Sequence, residues 1–171
     1  MKIPISISVA ALVAVLLGLP NFTHAEPESG KVTVAVGDVQ AVDEDGAVTQ
    51  VKAGDKLLVG TTIKTGAESR AVIVITPRSA IRVAENSEVV LSEIDETVTP
   101  RNVLIDVKEG SLGALLKPEA ADALDFKVRT PSGVAAARGT FYAVVVKDGK
   151  GYTQVKEGQV EVIPNEKAED Q

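Results

Sequence analysis

Residues 71–84, AVIVITPRSAIRVA, place two short runs rich in β-branched side chains on either side of a Thr76-Pro77-Arg78-Ser79 turn. Val and Ile favour extended strands, and Pro favours a turn because its φ angle is fixed and it lacks an amide hydrogen. The stretch therefore predicts two strands joined by a short connection. Similar runs predict further strands at residues 31–36, 88–91, 102–107, 125–129, 140–146, 152–155 and 159–163.

Turn residues separate these runs at short and fairly even spacing. Glycines beside Asp, Asn or Glu mark the turns, as at Gly46, Gly110 and Gly149, because Gly adopts the positive φ that tight turns need. This pattern predicts an all-β fold with one compact domain over residues 31–164. It is compatible with a sandwich-like roll and with a short β-helix-like stack. Residues 118–124 could form two turns of helix or an Ala-rich loop.

The first 25 residues predict a signal peptide. A basic start at Lys2 precedes an apolar run at residues 9–19, and a small-x-small site ends at Ala25. The run is shorter than the ~20 residues of a membrane span, so we expect cleavage between Ala25 and Glu26, with an uncleaved anchor as the alternative. The mature protein is then expected in the periplasm or outside the cell. We expect residues 26–30 to be flexible and residues 165–171 to be disordered.

The composition excludes several classes of site. The sequence has no Cys, and its single His, His24, lies in the predicted signal peptide. The mature chain therefore cannot build a Ser-His-Asp triad, a Cys nucleophile or a His/Cys zinc site. A formal net charge of −6 argues against nucleic acid or anionic lipid as a partner. The sequence contains no Gly-rich phosphate loop, and we expect no cofactor and no small-molecule substrate.

Acidic residues provide two weak candidates for a site. Glu93 and Asp95 would project from one face of a strand, but few aromatic side chains are available to line a sugar site. A charged outer face is therefore favoured over catalysis. Residues 43–46, DEDG, resemble the beginning of a calcium loop but lack the downstream bidentate acid, which favours a solvated turn. We predict no catalytic residue, no metal ligand and no enzyme activity.

Two segments have an unusual composition. Residues 54–66 (GDKLLVGTTIKTG) have glycines six apart around short apolar runs, which suits tight strand reversals near a sheet edge. Residues 130–141 (TPSGVAAARGTF) combine a Pro and Gly turn, three small alanines and a Gly before a long apolar run. Arg138 needs a partner if it is buried, because an unpaired buried charge is costly. A structural clamp onto a carboxylate or carbonyls is favoured over ligand binding.

Together these segments make the chain resemble the FecR domain family over residues 31–162. The family pattern G-x-x-L-x-x-G-(D/T)-x-I-x-T is matched by residues 54–65, and F-x-V-x-T-P by residues 126–131, before an R-G-T triplet. The central turn departs from the family's D-G-S, because this chain has Thr76-Pro77-Arg78-Ser79. The resemblance implies fold-defining rather than catalytic roles for Gly54, Gly60, Thr65, Thr130, Pro131, Arg138, Gly139 and Thr140.

Full regulators similar to this family carry a cytoplasmic anti-sigma segment and a membrane helix, and relay a signal from an outer-membrane receptor. Residues 1–25 are too short for both parts, so we expect a stand-alone exported domain. The leading hypothesis is a protein-interaction or envelope-signalling module that binds an envelope protein, with an exposed strand edge available for β-augmentation. A polysaccharide- or cell-wall-binding domain is the alternative. Residues 140–146 are expected away from an open edge, since a long Val-rich edge would aggregate.

Overall fold

The computed structural model describes residues 29–117, 124–137 and 139–165. These residues form fourteen strands, and the prediction of an all-β fold is confirmed. In chain order the strands are β1 (Ser29–Val36), β2 (Val39–Val42), β3 (Val48–Gln50), β4 (Lys56–Leu58), β5 (Thr62–Thr65), β6 (Arg70–Thr76), β7 (Ser79–Val83), β8 (Ser87–Asp95), β9 (Arg101–Leu116), β10 (Leu124–Thr130), β11 (Gly133–Ala137), β12 (Phe141–Lys147), β13 (Lys150–Glu157) and β14 (Val160–Pro164).

Several predictions fall outside the described residues. They are the signal peptide with its cleavage site at Ala25 and Glu26, residues 26–28 of the flexible segment 26–30, residues 118–123 of the helix or loop at 118–124, Arg138, and residues 166–171 of the tail at 165–171. In the part of the chain that the structure describes, no helix is long and apolar enough to span a membrane.

All the strands belong to one hydrogen-bonded sheet, which curls into a half-barrel. The described pairings are antiparallel except that of β9 with β10, which is parallel. A β-helix pairs its coils in parallel, so the roll is the architecture that the structure shows. At the connection of β6 to β7, Thr76 lies opposite Ser79, and the two hydroxyl oxygens are 2.8 Å apart.

The long strand β9 divides the sheet into two layers. Its first half pairs with β8 and β10, and its second half pairs with β7 and β12. We call β1, β4, β6, β7, β12, β13 and the second half of β9 the front layer. The back layer comprises β2, β3, β5, β8, β10, β11, β14 and the first half of β9.

The strand changes layer at Gly110, where the sequence pattern predicts a turn. The structure instead continues the strand through Gly110, which has a φ of 83°, and the pairing with β8 shifts register just before it, between Val107 and Glu109. A Cβ atom at this position would lie 2.5 Å from Ser87 Cα and 2.6 Å from Asn86 O. Positive φ and close backbone contact both require glycine here.

A single hydrophobic core lies between the layers. The register aligns Val32, Ile73, Ile81, Ala114 and Tyr142 across the inner face of the front layer, and all five side chains are buried. They pack with buried side chains of the back layer in one continuous cluster. Burial of this apolar surface is the main source of stability in a chain without disulfides.

Successive side chains along each strand point alternately to the inner and the outer face of the layer, as the period-two pattern predicts. The strand β12 illustrates this, since Tyr142, Val144 and Val146 are buried while Phe141 and Val145 are partly exposed. β12 is paired with β9 on one side and β13 on the other. The expectation that this Val-rich strand is not an open edge is therefore confirmed.

Candidate functional site

Within the described residues the sheet has four edge strands, and they differ in how well they could accept a partner strand. Among the described pairings, β3, β4, β13 and β14 each have one neighbour. β3 and β4 have three residues each, and β14 has five and ends at Pro164. Short strands and proline are the usual protection against edge pairing. β13 has eight residues and is the longest open edge.

The backbone of β13 shows which of its groups face outward. The Gly151 N–H donates a hydrogen bond of 2.5 Å to Ser132 Oγ, so it points away from β12. In an antiparallel pair, successive residues alternate between facing the neighbouring strand and facing away from it. Thr153 and Val155 therefore direct their N–H and C=O groups away from β12, along the open edge.

An apolar surface lies beside this edge on the outer face of the front layer. Leu115, Phe141, Val145 and Tyr152 are 50%, 37%, 37% and 58% exposed, and we call these four residues the hairpin face. Cross-strand pairing brings Leu115 next to Phe141, and Val145 next to Tyr152. The two pairs lie on the same face of β12 with Ala143 between them, and exposed apolar side chains grouped on one face mark interaction surfaces.

The turn between β10 and β11 holds one end of β13. The buried Thr130 hydroxyl accepts hydrogen bonds from the Ser132 and Gly133 N–H groups at 3.3 and 3.2 Å and donates one of 3.0 Å to Gly133 O. The Asn165 side-chain amide donates to Pro131 O at 3.0 Å. Because this turn is fixed, Ser132 is positioned to bind Gly151.

The other end of β13 is held by Thr140. Its buried hydroxyl donates a 3.1 Å hydrogen bond to Gln159 O in the β13–β14 connection. A Cβ atom on Gly158 would lie 2.8 Å from Thr140 Oγ1, so the connection passes tightly over this side chain. Gly139 precedes Thr140 with a φ of 61°. The clamp expected at Arg138 stays a prediction.

Comparison with family models matches residues 61–161 of the chain to the family described as FecR protein. The chain belongs to the FecR family. The match covers β5 to β13 and the beginning of β14 and includes the Thr130 and Thr140 positions, whereas Gly54 and Gly60 precede it. No curated protein and no solved structure gives a match. The FecR family is regulatory and supports a signalling-related role for the domain.

The remaining predicted family positions lie in a different part of the FecR domain. Gly54 and Gly60 have φ angles of 100° and 90° in the turns before and after β4. Thr65 is buried, donates a 2.5 Å hydrogen bond to Ala84 O and accepts one of 3.0 Å from the Ser87 N–H. These residues fix local backbone, and the structure does not bring them together with Thr130 or Thr140.

Two of the acidic candidates of the FecR domain, Asp95 and Asp43, accept hydrogen bonds from neighbouring residues. Glu93 and Asp95 flank the buried Ile94 on β8, so they share the outer face of the strand as predicted. Hydrogen bonds from the Thr97 side chain and N–H lower the pKa of Asp95, which is unfavourable for a general acid. Asp43 accepts the Ala47 N–H at 2.8 Å in the hairpin between β2 and β3, which agrees with a turn.

Other features of the described residues give little support for metal or sugar binding. No group of three or more acidic, His or Cys side chains there could hold a metal ion. A depression of about 710 Å³ on the back layer is lined by side chains that include Asp125, Lys127, Glu161 and Ile163, and no aromatic residue lines it. Sugar sites usually place an aromatic ring against the sugar, so the depression does not favour the polysaccharide alternative.

One ion pair of the domain, between the buried Asp106 and the half-exposed Arg129, is absent from the sequence predictions. Arg129 on β10 binds Asp106 on β9 through both Nε and Nη2, the latter at 2.6 Å, and Ser92 Oγ donates to the same carboxylate at 2.6 Å. Burial raises the pKa of Asp106, but the hydrogen bonds from Arg129 and Ser92 and the nearby positive charges outweigh it, and the net pKa is lowered. The pair ties the two parallel strands together.

Proposed function

We propose that this FecR domain is an extracytoplasmic interaction module that binds an envelope protein by adding a strand of the partner to β13. The observation that carries the proposal is the open edge of β13 beyond Gly151, where the backbone groups of Thr153 and Val155 face outward. Strand addition gains affinity from such main-chain groups and specificity from the side chains beside them. Family membership supports a signalling-related role.

The position of β13 suits this function because both of its ends are fixed before a partner arrives. Ser132 holds Gly151 at one end, and Thr140 holds the connection at Gln159 at the other. A strand that is already ordered loses less conformational entropy on binding. The family residues Thr130 and Thr140 thus support the interaction indirectly, through the placement of an edge.

The test is affinity capture of the tagged full chain from cells that export it, after crosslinking, with mass spectrometry of the captured proteins. Thr153→Pro removes one outward N–H without removing a hydrogen bond to β12, whereas Thr153→Val keeps the N–H and is the matched control. We expect one envelope protein to be captured by the wild type and by Thr153→Val, and to be lost with Thr153→Pro.

A second variant protects the test against misfolding. Val155→Lys places a charge at a 42% exposed edge position and should also block strand addition without altering the backbone. Circular dichroism and thermal unfolding check that each variant is folded. If folded Thr153→Pro and Val155→Lys both retain the partner, β13 is not the binding edge. If no envelope protein exceeds background with the wild type, the interaction function itself is wrong.

The extracytoplasmic location is part of the same proposal. It is supported by the Lys2, apolar-run and Ala25 pattern and by a family whose members face the periplasm in signalling systems. Mass spectrometry of the exported protein should give an N-terminus at Glu26. A chain that retains Lys2 after fractionation would contradict the predicted cleavage.

A further inference from the structure

The charged side chains on the strands of the front layer's outer face are almost all basic, although Asp148 lies in the turn between Lys147 and Lys150. The register assigns to strand positions on this face the basic residues Lys31, Arg70, Arg82, Lys147, Lys150 and Lys156, which we call the cationic face. Among the described strand residues of the same face, the acidic residue is Glu157, opposite Phe141. This excess of positive charge stands in a chain whose formal net charge is −6.

Apolar side chains fill the space between these cations. One row of the register runs from Lys31 through Val74, Ala80 and Leu115 to Phe141. Lys156 Nζ lies 5.0 Å from the centre of the Phe141 ring, and Lys147 and Lys150 face each other next to the Val145 and Tyr152 pair. The hairpin face is therefore bordered by lysines.

The back layer has a different charge pattern. Its outer face pairs acids with bases, as Lys64 does with Glu88 at 3.1 Å and Lys127 with Asp125 at 2.7 Å. The two layers are separated by about 10 Å of packed core, and the charged side chains on their outer faces are further apart than this. The Debye length is about 8 Å at physiological salt, so the acids of the back layer are largely screened from a ligand at the front.

We propose that the cationic face adsorbs to anionic phospholipid surfaces, with the hairpin face at the level of the headgroups. Lysine heads can reach phosphates while their methylene stems and the neighbouring aromatic rings stay in the interfacial region. Each basic residue near such a surface contributes attraction, and aromatic side chains favour the same depth. The local charge, rather than the net charge used in the sequence prediction, determines this binding.

The distribution of the cations favours a lipid surface over an acidic protein partner. The basic side chains extend from Lys31 on β1 to Lys150 on the edge strand β13, and they do not converge on one pocket. Protein interfaces concentrate their energy in a few central residues within a pocket. The proposal is independent of strand addition, because β13 would bind a partner through its backbone in the plane of the sheet.

The experiment is vesicle co-sedimentation of the exported full chain. Vesicles that mix phosphatidylcholine with phosphatidylglycerol are compared with vesicles of phosphatidylcholine alone. We expect association with the anionic vesicles only, weakened by added salt. The double variant Lys147→Glu with Lys150→Glu should lower the partition coefficient by about tenfold or more. Tyr152→Ser should lower it less, since it removes apolar contact but no charge.

Matched controls carry the same changes on other surfaces. Lys64→Glu with Lys127→Glu alters the net charge equally but lies on the outer face of the back layer, and Val48→Ser changes a 60% exposed residue of the same layer. These controls should bind like the wild type. Equal losses in both double variants would show that only net charge matters and would overturn the proposal. Absence of wild-type binding to anionic vesicles would also overturn the proposal. This would hold even if a captured protein were found to cover Lys147 and Lys150.

Discussion

Replacing Tyr142 with Phe should stabilise the protein. Tyr142 lies on β12 in the centre of the core and is 1% exposed, and its hydroxyl has no hydrogen-bond partner in the part of the chain that the structure describes. A buried hydroxyl without a partner loses its hydrogen bonds to water and gains none in return. The ring of Phe keeps the apolar contacts and removes this cost.

The size of the effect follows from the burial of a single hydroxyl. Mutational data give about 1–3 kcal/mol for an unsatisfied polar group, and the small void left by the oxygen offsets a few tenths of this. We therefore expect Tyr142→Phe to raise the free energy of unfolding by about 1 kcal/mol. In a domain of this length the midpoint of thermal unfolding should rise by about 2–4 °C.

The same residue makes stability depend on pH in alkaline solution. Burial raises the pKa of Tyr142 well above its ordinary value of 10.0. The unfolded chain ionises this tyrosine above about pH 10 while the folded chain does not. The part of the free energy of unfolding that depends on the ionisation of Tyr142 is thus fully present below about pH 10 and is lost as the pH rises further. Tyr142→Phe should remove this component of the alkaline loss.

Urea titrations of wild type and variant, at neutral and at alkaline pH, measure both effects. The sequence has two tyrosines, so Tyr152→Phe leaves Tyr142 as the only source of tyrosinate absorbance. In that background the absorbance should appear together with unfolding. A loss of about 1 kcal/mol or more in Tyr142→Phe would refute the reasoning, because it would show that the hydroxyl has a partner. Ionisation of Tyr142 in the folded protein would refute the pH argument.

Two further substitutions test the connections between strands. Asp106→Asn should lower stability by about 2 kcal/mol, since Arg129 loses a charged partner, while the partly exposed Asp125→Asn should cost much less. The pKa of Asp106 is lowered on folding. The difference in free energy of unfolding between wild type and Asp106→Asn should therefore be constant above about pH 4 and vanish as the pH falls further. A difference that persists in acid would contradict this. Gly110→Ala should cost more than about 3 kcal/mol through backbone strain and overlap, whereas Gly113→Ala on the same strand meets no atom within 4 Å and should be neutral in urea titrations. Equal effects at the two glycines would contradict the backbone contact and positive φ described at Gly110.

The strands that the sequence predicts are those with dense β-branched residues. The additional strands β2, β3, β4, β5 and β11 are short, polar or alanine-rich. β11, with the sequence GVAAA, illustrates the difficulty, because Ala has low strand propensity and its position is imposed by pairing with β10 and β14. At Gly110 the sequence predicts a turn, since Gly at positive φ serves turns and bulges alike. In both β11 and β9 the backbone conformation is determined by pairing with strands that are distant in the sequence.

Sequence reasoning found part of the candidate site. The resemblance carried by Thr130 and Thr140 identified the segments that hold β13. That β13 is an edge could not be predicted, because strand order depends on long-range pairing. The Asp106 and Arg129 pair joins residues 23 apart, and its geometry depends on a parallel register. The charge asymmetry was hidden for the same reason, since a net charge carries no information about faces.

The continuity of β9 also bears on how the molecule opens. A strand hydrogen-bonded within both layers cannot be released from one of them without disturbing the other. Front and back therefore form a single cooperative unit rather than two that fray independently. Amide hydrogens on either side of Gly110 should exchange with solvent only through global unfolding, with the same free energy in both halves of the strand.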